Sequence, residues 1–268
     1  MHIEPSLPLA FSHIGQRAVN QDALYPAIGL ATEDTDLFIV CDGMGGADKG
    51  EVASQLLCDV IAGYAQSFDY PIFDIVHLRA ALGLALDAYQ AYLRQHPLVG
   101  RIGSTLTLLQ FHEDGATVAH VGDSRVYQLR DGVILFRTQD HKQVNDMIAD
   151  GIITTTQALT HPWRNRLSRA VVAEPGNADK QTSVPTPDIT RLTDVRAGDY
   201  FFMCTDGVLE RLDDHALETL LAANIPDQAK RQSLVALCDG ETKDNYSGYL
   251  IGISHVAQTK FVSSALLS

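Results

Sequence analysis

The positions of the hydrophobic residues predict a mixture of helices and strands in the first half of the chain. Residues 37–41 (LFIVC) are continuously apolar and predict a short buried strand. Apolar positions then recur at helical spacing as far as Tyr64, and the same spacing runs from Leu78 to Leu93. These two stretches predict amphipathic helices, the second of which ends before Pro97.

The second half of the chain predicts several strands, then two helices and a final strand. Residues 104–111 and 116–122 flank a short turn, and residues 124–133 alternate in character around an Asp-Gly pair, as hairpins do. The remaining predicted elements are a buried strand, two helices and a last strand, at residues 199–204, 213–223, 228–237 and 248–254. This order predicts an α+β fold with two packed sheets and helices outside them, and it argues against a Rossmann-type βαβ sheet.

The organisation predicted for the chain is one domain over residues 1–268. No repeat, low-complexity tract or Pro/Ser-rich linker divides the sequence. Residues 140–171 mix short apolar pieces with polar residues and lack a clean period. We therefore expect this segment to form a flap subdomain, which we call the flap.

The charge of the chain excludes some classes of partner. Twenty Lys and Arg stand against 33 Asp and Glu, a net charge of -13. Nucleic acids and anionic membranes attract proteins with a basic face, so neither is expected as a partner. An anionic substrate would need a local positive feature that opposes the overall field.

The cysteines and the hydrophobic runs predict a soluble cytoplasmic protein with reduced thiols. The four cysteines have no CxxC spacing. The first residues have neither a basic segment nor a long apolar core, so no signal peptide is predicted. No apolar run approaches the roughly 20 residues that span a bilayer.

Aspartates at the ends of predicted strands are the candidate chemistry. They are Asp22, Asp42, Asp123, Asp206 and Asp244, and three of them adjoin a glycine. Each Asp-Gly pair could by itself be an ordinary turn. If the strand ends converge, however, the five negative charges repel one another unless cations hold them, and oxygen ligands favour Mg²⁺ or Mn²⁺.

Eight short motifs occur in order along the chain: RAVNQD (17–22), DGMGG (42–46), GEVAS (50–54), GSTLT (103–107), VGDSRVY (121–127), TQDH (138–141), CTDGVLE (204–210) and DN (244–245). Together they resemble the motifs of bacterial PP2C-type (PPM family) metal-dependent protein serine/threonine phosphatases. The resemblance runs from about residue 14 to about residue 254, nearly the whole chain. Eight motifs in register are far more specific than one.

The resemblance implies a four-layer α-β-β-α sandwich that holds two to three Mn²⁺ or Mg²⁺ ions at one end of its strands. It implies that Asp42 bridges two ions and that the Gly43 carbonyl binds the second. Asp206 and Asp244 would complete the shell of the first ion, and Asp22 would serve the second, through a water.

Further residues follow from the same resemblance. Asp123, together with Asp206, would hold a third and weaker ion. Hydrogen bonds that orient the carboxylates are expected from four more residues: Ser104, Thr105, Ser124 and Asn245. His120 and His141 are expected to be structural, although His141 could instead transfer a proton.

The implied reaction is hydrolysis of phosphoserine and phosphothreonine in proteins. A water whose pKa two neighbouring ions lower would attack phosphorus in line with the leaving oxygen. Catalysis would rest on Asp42, Asp206 and Arg17. The Arg17 guanidinium would bind the substrate phosphate, because its planar fork matches two phosphate oxygens; the alternative is an ordinary surface arginine. A cognate serine/threonine kinase and its substrates would be the partners, and a monomer is favoured.

Two residues depart from the pattern of eukaryotic members. Met44 stands where many of them have a histidine that is proposed to protonate the leaving group, and methionine has no proton to donate. Gln21 replaces a glutamate beside Asp22, so the second ion should bind less tightly. Alternatives are another two-metal hydrolase, such as a nuclease, and a catalytically weak phosphatase-like domain that regulates a partner or binds phosphoproteins. The negative charge disfavours the first, and retention of all five aspartates disfavours the second.

Overall fold

The structure, a computed structural model, describes residues 2–44, 49–68, 70–175 and 184–257. In chain order its strands are β1 (His2–Pro5), β2 (Leu9–His13), β3 (Asp22–Tyr25), β4 (Leu37–Met44), β5 (Ile102–Ser104), β6 (Leu106–His112), β7 (Gly115–Val121), β8 (Arg125–Arg130), β9 (Val133–Arg137), β10 (Val171–Ala173), β11 (Asp188–Leu192), β12 (Tyr200–Cys204) and β13 (Tyr246–Ala257). Its helices are α1 (Gly50–Ser67), α2 (Ile75–Gln95), α3 (Gln143–Ala149), α4 (Thr155–Thr160), α5 (Asp206–Leu209), α6 (Asp214–Ala222) and α7 (Asp227–Cys238).

Two antiparallel sheets form the centre of the fold. The first has the order β1-β13-β12-β8-β9, with β2 also paired to β13. The second has the order β10-β5-β4-β6-β7-β11, with β3 also paired to β4. Consecutive strands such as β6 and β7 pair through short hairpins, whereas β13 joins strands that are distant in sequence.

Three apolar cores separate four layers. Phe38 and Met203 belong to the core between the two sheets. Leu57 of α1 and Leu82 of α2 pack against the outer face of the second sheet, and Leu234 of α7 packs against the outer face of the first. The α+β prediction and the four-layer α-β-β-α architecture are therefore confirmed.

The end of β4 differs from the prediction. The apolar run was expected to end as a strand at Asp42, but the strand continues through Gly43 to Met44. It continues because Gly43 pairs with Ser104 and Met44 with Gly103 of β5, so the ladder supplies partners beyond the apolar residues. Gly45 and Gly46, the last two residues of the DGMGG motif, lie outside the described residues.

The flap contains two short helices, α3 and α4. A capping box formed by Thr154 and Gln157 begins α4. Lys142, at the start of α3, forms an isolated antiparallel bridge with Leu167 near the end of the segment. The flap as a subdomain and the single-domain organisation stay predictions.

Candidate metal centre

Strand pairing brings Asp22 and Asp42 together. Asp22 begins β3 and lies directly opposite Asp42 of β4 in the antiparallel register. The apolar residues that precede Asp42 are buried, and they anchor β4 in the sheet. Two acidic side chains are thereby fixed at the same end of the second sheet.

The first sheet supplies Asp206 and Asp244. Asp206 is the first residue of α5, which follows β12, and Asp244 precedes β13. The Thr205 hydroxyl donates a hydrogen bond of 3.0 Å to Oδ2 of Asp22 and so links the two sheets. The sequence analysis did not identify Thr205. Its position between a buried strand and the candidate ligand Asp206 could have indicated this role, because a hydroxyl there can donate to a carboxylate.

Burial and mutual repulsion shift the pKa values of these carboxyls. Burial, followed by the charges of Asp206 and Asp22, raises the pKa of Asp42 well above its ordinary value. Burial is also the largest cause that raises the pKa of Asp22 to about 7 and that of Asp206 to about 6. The aspartates expected to bind metal therefore lie close enough to affect one another.

The donor atoms fit divalent cations. Oδ1 of Asp22 and Oδ1 of Asp206 are buried and have no hydrogen-bond partner. Within the described ranges, no Lys, Arg or His forms an ion pair with Asp22, Asp42 or Asp206. Buried carboxylate oxygens without partners are costly, and Mg²⁺ or Mn²⁺ would satisfy them.

Gly43 is required where β4 approaches the start of α1. A Cβ atom at this position would lie 2.1 Å from the carbonyl oxygen of Gly50 and 2.5 Å from that of Gln21. The Gly43 N–H donates to the same Gln21 carbonyl at 3.0 Å. The glycine therefore allows the backbones to pack tightly at the position whose carbonyl is expected to bind an ion.

Arg17 lies at the edge of the acidic group. Its Nη2 is 2.5 Å from Oδ2 of Asp244, and 55% of its side chain is exposed. The hydrogen bond to Asp244 is the largest cause that raises the pKa of Arg17. Asn245 holds the loop that carries Arg17, because its amide donates to the carbonyls of Ile14 and Val19.

The expected hydroxyl partners contact the backbone of Asp42. Ser104 donates to the Asp42 carbonyl at 3.0 Å, and Oγ1 of Thr105 accepts from the Asp42 N–H at 3.0 Å. The hydroxyls of Thr105 and Ser124 are 2.8 Å apart. These residues bind the main chain of Asp42, and they therefore position its side chain only indirectly.

Asp123 already has a cation beside it. It lies between β7 and β8, and its Oδ2 is 3.1 Å from Nζ of Lys142. Burial would lower the pKa of Lys142, but the charges of Asp123 and Asp140 outweigh burial and raise it. The role of Asp123 as a ligand of a third ion stays a prediction.

A second group of potential ligands lies beneath the flap. Nitrogen and oxygen atoms of His120, His141 and Asp188 lie within 4.8 Å of one another. The two rings are stacked, with an interplanar angle of 18°, so their in-plane lone pairs do not converge on one ion. Nδ1 of His141 accepts from the N–H of Gly122 at 3.1 Å, and its Nε2 is 3.2 Å from the Asp188 carboxylate. The hydrogen bonds of the group join His141 to Gly122 and His120 to the Gln139 carbonyl, so we interpret it as a support for the loop that carries Asp123.

Two stacked antiparallel sheets, outer helices and an acidic centre at the strand ends define a fold of the PP2C phosphatase class. Residues 11–238 match the protein phosphatase 2C family, and the chain belongs to that family.

Known bacterial proteins are similar to this chain in sequence and fold. The Mycobacterium tuberculosis serine/threonine protein phosphatase PstP is 32% identical over 226 residues, which are 84% of this chain and 40% of PstP. This chain therefore spans less than half of the length of PstP. A crystal structure of PstP has a TM-score of 0.74 and 32% identity, covering 92% of this chain and 98% of that one. The PstP catalytic domain in complex with two manganese ions has a TM-score of 0.69 and 31% identity, covering 92% and 97% of the two chains.

No helix in the described ranges combines the length and the apolar character that crossing a bilayer needs.

Proposed function

We propose that this chain is a Mn²⁺- or Mg²⁺-dependent phosphatase that hydrolyses phosphoserine and phosphothreonine in proteins. The observation that carries the proposal is the half-buried group of Asp22, Asp42 and Asp206. It lacks ion-pair partners among the described residues and has two buried carboxylate oxygens without hydrogen bonds. Such a group is costly to fold unless divalent cations bind it.

The residues that would hold two ions are distributed over both sheets. The carboxylates of Asp22, Asp42, Asp206 and Asp244 and the carbonyl of Gly43 would hold them. When bound, two such cations supply positive charge that favours ionisation of a water and stabilises the phosphoryl oxygens.

Arg17 would bind and orient the substrate phosphate. Its guanidinium is half exposed and contacts Asp244, so it can reach solvent and the acidic centre together. A planar guanidinium can donate two parallel hydrogen bonds to a phosphate. In a chain with net charge -13, such a local positive group would oppose the overall repulsion of anionic substrates.

The names of the relatives favour phosphoproteins as the substrates. PstP is named a serine/threonine protein phosphatase, and a nuclease would need the basic surface that the chain's composition disfavours. We further propose a cognate serine/threonine kinase as a partner, a monomeric state and a cytoplasmic location. The four cysteines, all free and buried, are consistent with a reducing compartment.

Two assays test the proposal. One measures hydrolysis of an aryl phosphate and of a phosphothreonine peptide with Mn²⁺, Mg²⁺ or a chelator. We expect activity that chelation abolishes, and a loss of at least about 10³-fold in Asp42→Asn and Asp206→Asn. The matched control is Asp131→Asn, because Asp131 also precedes a glycine but lies in the β8–β9 turn.

The outcomes separate the proposed enzyme from a binding domain. Near-normal turnover in Asp42→Asn would exclude the metal centre. Mn²⁺ binding and phosphopeptide binding without any turnover would instead support the catalytically weak regulatory domain.

A further inference from the structure

Lys142 is held against the acidic centre by its own backbone. It precedes α3, its N–H donates to the Asp140 carbonyl at 3.0 Å, and its bridge with Leu167 fixes the other side. Its side chain is 19% exposed and points inwards, with Nζ at 3.1 Å from Oδ2 of Asp123 and 3.2 Å from Oδ2 of Asp140. The ammonium is therefore held in a fixed position by two carboxylates.

The charges around Lys142 balance within a small group. Arg125 donates to both oxygens of Asp140, at 2.6 and 2.9 Å. Asp123 and Asp140 supply two negative charges, and Lys142 and Arg125 supply two positive ones. Because the ammonium already contacts two carboxylates, it is not free to bind a substrate phosphate.

The remaining aspartates of the acidic centre have no such balance. Asp22 and Asp206 each keep a buried carboxylate oxygen without a partner, and Asp42 has no ion pair within the described ranges. Asp22 and Asp206 therefore need cations from solution, whereas Asp123 already has the ammonium of Lys142 beside it.

We propose that the ammonium of Lys142 takes the place of a third divalent ion at Asp123, so that this chain binds two ions and not three. This inference rests on the metal centre of the proposed function. A divalent ion in contact with Asp123 would meet the positive charge of Lys142 at close range. Expelling Lys142 would also deprive Asp140 of one of its two cationic partners.

The position of Lys142 gives the replacement a consequence for the flap. A dissolved ion would provide no ionic link between the flap and Asp123 when metal is scarce. Lys142 belongs to the flap, and its ammonium forms an ion pair with Asp123. The base of the flap is therefore tied to the centre without a third ion.

The experiment counts Mn²⁺ ions per chain at saturation, by equilibrium dialysis with metal analysis and by native mass spectrometry. The unaltered protein is expected to bind two ions, and Asp123→Asn is expected to bind two as well. Lys142→Met, which keeps the length and apolar stem of the side chain, should gain a third ion. The double variant Lys142→Met with Asp123→Asn should lose it again.

A matched variant separates charge from packing. Lys142→Arg keeps the positive charge and should still bind two ions. The Lys142→Met site should bind the third ion at least about tenfold more tightly than the unaltered protein, because the repelling charge is gone.

The outcomes are distinct. Three ions in the unaltered protein, falling to two in Asp123→Asn, would overturn the inference, as would a count of two in folded Lys142→Met. If Lys142→Met fails to fold, the Mn²⁺ counts of the unaltered protein and of Asp123→Asn decide the inference: two ions in both support it, and three falling to two overturns it. Absence of all Mn²⁺ binding would overturn the proposed function as well, whereas a count of three would leave that function intact.

Discussion

Asp22 and Asp42 lie directly opposite each other in the antiparallel pairing of β3 and β4. Like charges at opposed strand positions destabilise a sheet, and here both residues are only partly exposed. The pairing is therefore unfavourable for the metal-free protein. It becomes favourable when cations lie between the carboxylates.

The first prediction concerns the stability of Asp22→Asn. Without metal and at about pH 8, above the Asp22 pKa of about 7, the substitution removes the negative charge that Asp22 carries opposite Asp42. The amide oxygen of the asparagine can still accept from Thr205. We expect the free energy of unfolding in chelator to rise by about 1 kcal/mol. Urea denaturation with and without Mn²⁺ measures the change. A variant that is less stable than the parent in chelator would contradict the repulsion.

The second prediction concerns the pH dependence of stability without metal. The folded-state pKa values of Asp22, about 7, and Asp206, about 6, lie above the ordinary value of 3.8. Carboxyls of this kind contribute stability that is fully present below their unfolded pKa and is lost as pH rises through the folded value. The melting temperature in chelator should therefore fall between about pH 4 and about pH 7 from this cause.

Added Mn²⁺ should reverse that loss. Protons compete with metal for the same oxygens, so the Mn²⁺-induced rise in melting temperature should be larger at about pH 8 than at about pH 5. Asp131→Asn should follow the parent at both values. An Mn²⁺-induced rise in melting temperature that is equal at the two pH values would show that the ions bind elsewhere.

The third prediction concerns Arg17→Ala. If Arg17 contacts the phosphate equally in the ground and transition states, KM should rise by about tenfold with a smaller change in kcat. Steady-state kinetics on a phosphopeptide tests this. Arg196→Ala is the matched control, because Arg196 also forms an exposed pair with an aspartate, at 2.7 Å from Asp194. An unchanged KM would exclude the phosphate contact.

The fourth prediction concerns Gly43→Ala. The added methyl would lie 2.1 Å from a backbone oxygen, so the strand must shift. We expect a loss of about 2–4 kcal/mol of stability and weaker Mn²⁺ binding. Gly63→Ala in α1 is the control, because its Cβ would meet no atom within 4 Å. That change should add about 0.5–1 kcal/mol. Equal effects of the two substitutions would contradict the close approach at Gly43.

The fifth prediction concerns His141→Ala. His141 accepts from the buried Gly122 N–H at 3.1 Å, and the substitution leaves that donor without a partner. Burial is the largest cause that lowers the pKa of His141, so a neutral support is expected. Stability should fall by about 1–3 kcal/mol. Turnover per folded molecule should change by less than about tenfold; a loss near 10³-fold would indicate proton transfer instead.

The sequence predicted the elements that have strong periodicity. The apolar run before Asp42, the long helices α1 and α2 and the β8–β9 hairpin all lie where the pattern indicated. The strands β1, β2 and β11 were missed, because they are short and at most partly buried. Their pairing with distant strands, and not local pattern, makes them strands.

The aspartates of the centre were found from the sequence, but their relationships were not. The sequence determined by itself the apolar segments, the family motifs and the acidic residues at strand ends, because these depend on residue type and spacing. Only the tertiary structure set Asp22 opposite Asp42, linked Thr205 to Asp22 and brought Lys142 to Asp123. Contacts between residues far apart in the chain depend on strand register and packing, which local periodicity does not encode.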